Sequence, residues 1–433
     1  MLRISNGRVL DPASGTDAQL DVLLDSEKIA AVGPSTEISQ KLAQRGGEVE
    51  TLDARGLIVA PGFIDLHCHL REPGGEASET IETGTRAAAR GGFTAVCPMP
   101  NTRPVNDNAS VTRSILERAA ASASVRVWPI GACSIGSKGE SLAEIAAMKK
   151  SGIVAVSDDG KPVANAKLMR QVMDYCNSLD LPVIDHCEDA SLAAGAVMRE
   201  GVTSVRLGLR GMPAAAESIC VGRDVQVAAL TGARFHVAHL SAKSSLDLVR
   251  DAKQRGLRVT CEVTPHHFTL TDEDVVYDSN FKMNPPLASR EDRNALLAGL
   301  ADGAVDAIAT DHAPHELASK AVEFDKAPFG ITGFETAIAL ALGELYHTGR
   351  VKLMRLVELF TAGPARVLGI ERKLAAGHPA DLTIFSTDHA WTFRAADSAS
   401  KSRNTPFDGR QFKGAPMATI VAGRLVFKRD AAN

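Results

Sequence analysis

The sequence predicts an α/β fold, a (β/α)₈ TIM barrel with a small β-sandwich domain formed by both chain termini. In the middle of the chain, eight short β-rich runs alternate with longer Ala/Leu/Glu/Arg segments of helical character over roughly 250 residues. Neither end of the chain has this helical spacing. A doubly wound open sheet is the alternative, but such a sheet usually carries a Gly-rich phosphate loop after its first strand, and we find none.

The predicted barrel strands follow one another along the chain, and helical candidates lie between most of them. The strands are FIDLHCHL (63–70), FTAVCPMP (93–100), VRVWPIGAC (125–133), IVAVSDDG (153–160), PVIDHCED (182–189), RFHVAHLS (234–241), RVTCEVTPHH (258–267) and DAIATDHAP (306–314). SETIETGTRAAAR, NAKLMRQVMDYCNSL and SAKSSLDLVRDAKQR are typical of the helices. This alternation favours parallel strands closed into a barrel.

The two ends of the chain predict short strands separated by turn residues. LRISNGRV, LDVLLDSEKIAAVG and EVETLDARG lie near the N-terminus, and PADLTIFS and ATIVAGRLVFK lie near the C-terminus. We expect residues 1–56 and 366–433 to build one small β domain and residues 57–365 to form the barrel. The segment VAPGF (59–63) is the expected crossing point, because Pro-Gly interrupts regular structure.

Composition and charge exclude several classes of function. The 48 basic and 52 acidic residues give a net charge of −4, which does not favour nucleic acid or an anionic membrane as partner. No apolar run reaches the 18 or so residues that span a bilayer, and the start of the chain lacks the features of a signal peptide. The cysteines number seven and form no CxxC pair, so we expect reduced thiols in a cytoplasmic protein.

At least five of the predicted strands end in His or Asp, at the end where barrel enzymes place their chemistry. His67 and His69 point the same way, because side chains alternate along a strand, and together they could bind one metal ion. His236 and His239 are three residues apart and face opposite sides, so only one can be a ligand at the rim. His239 is nearer the C-terminal end and is the candidate, whereas His236 is expected to be structural.

Asp311 follows the apolar stretch DAIAT, and a carboxylate after a buried strand needs the compensation that a metal supplies. The alternative for Asp311 is an N-cap of the next helix. The candidate ligands are His67, His69, His186, His239, Asp311 and one of Asp158 and Asp159. This set is too large for one tetrahedral zinc with an open position but suits two metals that share a carboxylate. Two such metals activate water and polarise a carbonyl, which predicts a hydrolase.

The chain resembles the bacterial class I dihydroorotases, a family of cyclic amidohydrolases in the amidohydrolase superfamily. The motifs that carry the resemblance are PGFIDLHCHLREPGGEASETIETG, PMPNTRP, SDDG, DHCED, HVAHLSAK, EVTPHH, KMNPPL, ATDHAPH, APFGITGFET and NTPFDG. They run nearly from end to end. The HxH pair with a late Asp marks only the superfamily, whereas HLREPG, PNTRP, KMNPPL and TDHAPH together are much more specific.

The resemblance implies the third step of pyrimidine biosynthesis. In this step N-carbamoyl-L-aspartate and (S)-dihydroorotate interconvert, and water is lost on ring closure. It also implies two zinc ions per subunit, bridged by Asp159 and a hydroxide, with Asp311 as the general acid/base. The implied metal ligands are His67, His69 and Asp311 for one zinc, His186 and His239 for the other, and Asp159 for both.

The resemblance also implies a set of substrate contacts. These residues are His69, Arg71, Asn101, Asn284, His315, Phe329 and Gly330. Arg71 and Asn101 would bind the substrate carboxylate with help from His315, and Asn284 and the backbone around Phe329 and Gly330 would contact the ring. Arg71 has independent support, because it lies two residues beyond His69 and a guanidinium pairs with a carboxylate in a bidentate manner.

Many relatives bridge their metals with a carboxylated lysine at the end of the fourth strand. This chain has Asp158 and Asp159 there, and Lys161 shares the parity of Asp159 if the chain stays extended. Because the chain looks like the aspartate-bridged type, we predict that Asp159 is the bridge and that no modified lysine is needed.

Two alternatives to this function stay open at the level of the sequence. One is another cyclic amidohydrolase, such as a hydantoinase or an allantoinase. The other is a catalytically silent subunit that only scaffolds aspartate carbamoyltransferase, which should have lost metal ligands. The family implies a homodimer and permits association with that transferase. The stretch 313–330 could be a lid over the site or a plain surface loop.

Overall fold

The protein is described by a computed structural model that covers residues 1–45 and 48–430. Its strands are β1 (Leu2–Asp11), β2 (Thr16–Asp25), β3 (Lys28–Gly33), β4 (Glu50–Asp53), β5 (Ile58–Pro61), β6 (Phe63–Cys68), β7 (Phe93–Pro98), β8 (Arg126–Val127), β9 (Val183–Asp185), β10 (Met198–Arg199), β11 (Gly211–Met212), β12 (Phe235–Val237), β13 (Val259–Val263), β14 (Ala307–Ile308), β15 (Leu382–Thr392), β16 (Gln411–Val421) and β17 (Arg424–Lys428).

The helices lie mostly between the strands of the middle region, as the predicted alternation requires. They are α1 (Ser35–Arg45), α2 (Ile81–Arg90), α3 (Ala109–Ser122), α4 (Ile145–Ser151), α5 (Ala166–Ser178), α6 (Ala190–Ala193), α7 (Val202–Leu207), α8 (Ala215–Thr231), α9 (Lys243–Gln254), α10 (Pro265–Thr269), α11 (Arg290–Asp302), α12 (Leu317–Lys320), α13 (Ala337–Ala341), α14 (Leu353–Phe360) and α15 (Ala362–Leu368).

Strands from both ends of the chain pair in one sheet. Its order is β17-β16-β15-β5-β1-β2-β3, and β4 pairs with β1. The sheet includes β5, whose Val59 pairs with Val9 of β1 and with Ile384 of β15. The sheet therefore extends beyond residue 56 into the VAPGF segment. Apolar side chains such as Ile4, Leu382 and Ile420 form a core of their own beneath it.

Besides the two-stranded parallel sheet β10-β11, the middle region carries two larger parallel sheets, β6-β7-β8 and β9-β12-β13-β14. Isolated parallel bridges connect them, because Val156 pairs with Gly131 and Val183, and Cys68 pairs with His312. Seven of the eight predicted strand runs contain a strand, although β8 and β14 have only two residues each. The fourth run, 153–160, contributes only the bridge at Val156. It leaves the sheet early because the Asp158 carboxylate accepts hydrogen bonds from the backbone of residues 133 and 134.

A buried ion network joins the C-terminal segment to the middle region. The Asp381 carboxylate accepts hydrogen bonds from Arg126 Nε at 2.7 Å and from Arg372 Nη1 at 2.8 Å. Arg372 also donates to the carbonyl of Gly62 and to Thr94 Oγ1. One carboxylate thus fixes two arginines that reach from different elements, which ties the terminal sheet to β7 and β8.

All seven cysteines are buried free thiols. No helix within residues 1–45 and 48–430 is long and apolar enough to cross a membrane.

Candidate active site

The candidate active site is a cavity of about 230 Å³ at the C-terminal ends of the parallel strands. Every predicted site residue lines this cavity except His67, which is fully buried and reaches the lining residue Asp159. Gly160 and Ala313 complete the lining. Positions from 69 to 330 of the chain therefore converge on one cavity, as expected when parallel strands present their ends to the same rim.

The two histidines of the HxH motif lie at the end of β6 and point to the same side. His67 Nε2 lies 3.2 Å from Asp159 Oδ1 and 3.6 Å from Asp311 Oδ1. His69 Nε2 lies 3.1 Å from Asp311 Oδ1, and its Nδ1 lies 3.0 Å from Asn101 Oδ1. The strand alternation thus brings both imidazoles to the same carboxylates.

The two aspartates of the SDDG motif have different surroundings. Asp158 Oδ1 accepts hydrogen bonds from the backbone N–H of Cys133 and Ser134, and Ser134 Oγ donates to Oδ2. Asp159 lines the cavity, and Lys161 is exposed. Of the three candidates for a shared ligand at this point, only Asp159 lies among the histidines.

His186 and His239 form the other side of the cluster. His186 Nδ1 lies 2.9 Å from His239 Nε2, and each lies 3.8 Å from Asp159 Oδ1. Asn284 Nδ2 lies 3.2 Å from His186 Nε2 and donates at 2.8 Å to Glu188 Oε2. Glu188, which follows β9, therefore holds both His186 and Asn284, and sequence reasoning assigned it no role.

Three residues of the site adopt left-handed backbone conformations. The φ angles of Arg71, His239 and Asp311 are 58°, 30° and 45°. Such angles are uncommon for residues with a Cβ atom and concentrate at functional sites, where the surrounding structure compensates the strain. They let the chain leave its strand abruptly and turn each side chain into the cavity.

A buried carboxylate on a neighbouring parallel strand supports His67. Glu262 lies on β13 and has no exposed surface. Its Oε1 lies 3.4 Å from His67 Nδ1, and its Oε2 lies 3.2 Å from His236 Nε2. His236 Nδ1 in turn lies 2.8 Å from Thr260 Oγ1. His236 is thus held in a structural position away from the cavity, as its strand parity predicted.

The electrostatics keep the two cavity aspartates ionised. Burial alone would raise the pKa of Asp159, but His67 and His239 hold that pKa well below its usual value. Burial likewise opposes ionisation of Asp311, while the hydrogen bond with His69 and the charge of His67 lower its pKa. Both carboxylates are therefore ionised near neutral pH and can bind cations.

Arg71 and His315 form the side of the cavity nearest to the segment 313–330. Arg71 Nε donates to the carbonyl of Pro314 at 3.1 Å, and its Nη2 lies 3.5 Å from His315 Nε2. His315 Nε2 lies 2.7 Å from the carbonyl of Phe329. Burial and the charge of Arg71 lower the pKa of His315 to about 3, so this imidazole is neutral. The single N–H of the neutral ring therefore donates to the Phe329 carbonyl, and the Arg71 guanidinium is the group here that suits an anion.

The donor set fits a metal centre. Two sets of buried side chains place one possible ligand atom each within 4.8 Å of one another: His67, His69 and Asp311, and His67, Asp159 and His239. Both ring nitrogens of His67 and Nδ1 of His239 are buried without hydrogen-bond geometry to any neighbour among the described residues. Imidazole nitrogens and carboxylates that converge but do not hydrogen-bond are the ligands expected for divalent metals.

Several residues of the site gave no usable pattern in the sequence. Asn404, from the NTPFDG segment, donates through Nδ2 to the carbonyls of Ala313 and Gly330 at 3.0 Å each. Lys320 donates to Gly330 and to two further carbonyls. The resemblance of NTPFDG to the family pointed to the segment that contains Asn404, but nothing in one sequence indicated its contact with the cavity wall.

Comparisons with known proteins show what the chain is similar to. Residues 56–245 match the family model described as "Dihydro-orotase-like". The chain is 54% identical over 432 residues to a dihydroorotase of Solibacter usitatus, and the alignment covers 99% of each chain. It is 52% identical over 429 residues to a dihydroorotase of Pelotomaculum thermopropionicum, with 99% of this chain and 98% of the relative covered.

The fold is similar to that of solved amidohydrolases. The structure superimposes on an L-hydantoinase (dihydropyrimidinase) from Arthrobacter aurescens with a TM-score of 0.87 and 24% identity, covering 99% of this chain and 96% of the other. It superimposes on a dihydropyrimidinase from Brevibacillus agri with a TM-score of 0.83 and 22% identity, covering 98% and 95%. At these identities the likeness establishes the mixed α/β fold of the chain.

Proposed function

The chain belongs to the dihydroorotase family, and from this premise we propose how its residues carry out the reaction. It is a metal-dependent cyclic amidohydrolase that interconverts N-carbamoyl-L-aspartate and (S)-dihydroorotate, the third step of pyrimidine biosynthesis. The observation that carries this function is one cavity that combines the His67, His69, Asp159 and Asp311 cluster with Arg71. The cluster suits amide hydrolysis, and the guanidinium suits the carboxylate of the substrate.

We propose two zinc ions as the metals of this site. His67, His69 and Asp311 would hold one, His186 and His239 the other, and Asp159 would bridge them. When bound, such metals polarise the ring carbonyl and make a water nucleophile available near neutral pH. The predominance of imidazole among the ligands supports zinc over magnesium or calcium, which prefer oxygen ligands.

The polar residues of the cavity rim would bind and orient the substrate. Arg71 and Asn101 would bind the carboxylate of dihydroorotate. His315 would help by holding the Phe329 carbonyl beside Arg71 through the single N–H of its neutral ring. Asn284 and the backbone around Phe329 and Gly330 would contact the ring. The Gly330 N–H donates to the carbonyl of Lys282 at 2.9 Å, so its own contact with a ligand would be by packing.

Asp311 would move the proton. Its carboxylate is ionised and faces the cavity, so it can accept a proton from the attacking water and deliver it to the ring nitrogen as the amide bond breaks. Cyclisation follows the same path in reverse. Since carbamoyl aspartate has two carboxylates and dihydroorotate has one, ring closure consumes a proton, and lower pH favours the ring.

We also propose a closed barrel and a composite terminal domain. The bridges at Val156 and between Cys68 and His312 support closure of the two parallel sheets into a ring of eight. The separate core that contains Ile4 and Ile420 supports a β-sandwich domain built from about 1–56 and 366–433. Limited proteolysis at the predicted boundaries tests the domain division.

The subunit arrangement and location are proposals that the family suggests. We propose a homodimer in the cytoplasm, with association with aspartate carbamoyltransferase as a possible further contact. The seven buried free thiols support a reducing compartment. Light scattering of the purified chain gives the oligomeric state, and a pull-down with the transferase tests the association.

The test of function is hydrolysis of dihydroorotate by the purified protein before and after chelation, with zinc added back. Hydantoin and allantoin serve as parallel substrates. Activity on dihydroorotate alone, lost with the chelator and restored by zinc, is the expected result. Preference for hydantoin or allantoin would favour another cyclic amidohydrolase. No activity in folded, metal-loaded protein would favour the scaffold.

A further inference from the structure

Lys320, the last residue of α12, is a buried cation without a carboxylate partner. Only 5% of its surface is exposed, and no acidic side chain among the described residues lies within 4.0 Å of its ammonium group. Burial and the nearby Lys282 lower its pKa to about 7. Burying an ammonium group without a carboxylate partner destabilises the folded protein, so other contacts must compensate for it.

The ammonium group of Lys320 is enclosed by three backbone carbonyls. Nζ donates to the carbonyls of Pro328 at 2.9 Å, Gly330 at 3.0 Å and Lys282 at 3.3 Å. These match the three N–H donors of an ammonium group. Lys282 is two residues before Asn284, and Pro328 and Gly330 flank Phe329. The single cation therefore joins the two segments that carry the predicted ring contacts.

Two of these three carbonyls accept a further hydrogen bond. The Gly330 carbonyl also accepts a hydrogen bond from Asn404 Nδ2 at 3.0 Å, and the Lys282 carbonyl accepts one from the Gly330 N–H at 2.9 Å. The Lys282 ammonium lies 4.7 Å from the centre of the Phe329 ring and donates to the carbonyl of Asp325. The two lysines thus reach in opposite directions across one junction.

We infer that Lys320 is a positioning residue, which fixes the Phe329–Gly330 wall of the active-site cavity against the Asn284 segment. This assignment rests on the proposed function. The same assignment bears on whether the stretch 313–330 is a lid or a plain surface loop. The Lys320 hydrogen bonds anchor residues 328–330, so this wall of the cavity is in place before a ligand binds. These hydrogen bonds do not reach the exposed residues between 316 and 326. Lys320 touches no proposed metal ligand and would act only through the wall.

The test replaces Lys320 and follows KM, kcat and metal content separately. In Lys320→Met the three carbonyls lose the Lys320 donor, and an unbranched apolar side chain one atom shorter takes its place. We expect KM for dihydroorotate to rise roughly tenfold or more, with kcat and metal content near those of the parent. Lys326→Met is the matched control, since Lys326 lies in the same stretch with a 65% exposed side chain, and its KM should equal that of the parent.

A second variant distinguishes a positioning role of Lys320 from a role in folding alone. In Lys320→Ala, added propylamine should restore the low KM, because a small ammonium ion can refill the space between the carbonyls. A KM within twofold of the parent in Lys320→Met would overturn the inference. Equal loss of kcat, metal and thermal stability without rescue by the amine would also overturn it, since Lys320 would then serve only folding. An inactive parent enzyme would instead reject the proposed function.

Discussion

Two buried clusters of charge in this molecule are built in opposite ways. Around Asp381, two arginines neutralise one carboxylate, and all contacts lie between 2.7 and 3.0 Å. Around Asp159 and Asp311, carboxylates and imidazoles approach one another, yet the nitrogens of His67 make no hydrogen bond. Arg71 Nε donates to the carbonyl of Pro314, and its guanidinium lies within 4.0 Å of neither aspartate carboxylate.

The difference shows how this chain separates stability from function. The Asp381 cluster is complete within the protein, so its contacts contribute to holding two regions together. The active-site cluster needs cations that the chain does not supply, and its residues are held by strained backbone and by neighbours such as Glu262. Removing a residue from one cluster should therefore change stability, and removing a residue from the other should change metal binding or rate.

The largest expected effect is on the active-site cluster. Asp159→Ala should lose metal and all measurable activity, because it removes the carboxylate that lies between the histidines. Lys161→Ala should keep both, since Lys161 is exposed. Metal analysis after dialysis gives the result. Retention of metal in Asp159→Ala together with its loss in Lys161→Ala would show that a modified lysine is the bridge.

Asp311→Asn should separate binding from chemistry. The amide keeps an oxygen toward the cavity but cannot accept the proton, so kcat should fall by roughly 10²–10⁴-fold. Dihydroorotate should still bind, which equilibrium dialysis can measure. A variant with a near-normal kcat would remove Asp311 from the role of general acid/base.

The opposite behaviour is expected at Asp381. Asp381→Asn leaves the buried Arg372 and the half-buried Arg126 without their carboxylate and should lower the free energy of unfolding by about 3–5 kcal/mol. Metal content and KM should stay unchanged in the folded protein. Denaturant unfolding followed by circular dichroism measures the difference.

The difference in unfolding free energy between the parent and Asp381→Asn should change with pH in a definite direction. The pKa of Asp381 is lowered in the folded state against the effect of burial, chiefly by Arg126 and Arg372. Its contribution is therefore present above the unfolded pKa of about 4 and is lost as pH falls through the lower folded value. The parent and Asp381→Asn should converge in stability under acid. A constant gap down to pH 2 would contradict the assignment.

The smallest of these effects should come from Glu262. Glu262→Gln keeps the shape of the side chain but weakens its hold on His67 Nδ1, so metal affinity should fall by about 10–100-fold with little change in global stability. Competition with a chelator of known affinity measures the change. Unchanged affinity would mean that the backbone of β6 alone orients His67.

Much of the site could be predicted from the sequence because its ligands are local in pattern. His67 and His69 share a face through strand alternation alone, and the parity of His236 and His239 separated the structural residue from the cavity residue. These inferences need only neighbours along one strand. The fourth predicted strand was the exception, since its shortening depends on backbone donors at Cys133 and Ser134 in another segment.

The sequence by itself determined which residue types gather at the strand ends and the family to which the chain belongs. Only the tertiary structure decided which of Asp158 and Asp159 faces the histidines, that Glu262 lies behind His67, and that Lys320 reaches the carbonyls beside Phe329. The physical reason is the distance along the chain between partners. A side chain's ligand type is a property of one residue, whereas its hydrogen-bond partner depends on which strands and loops the fold brings together.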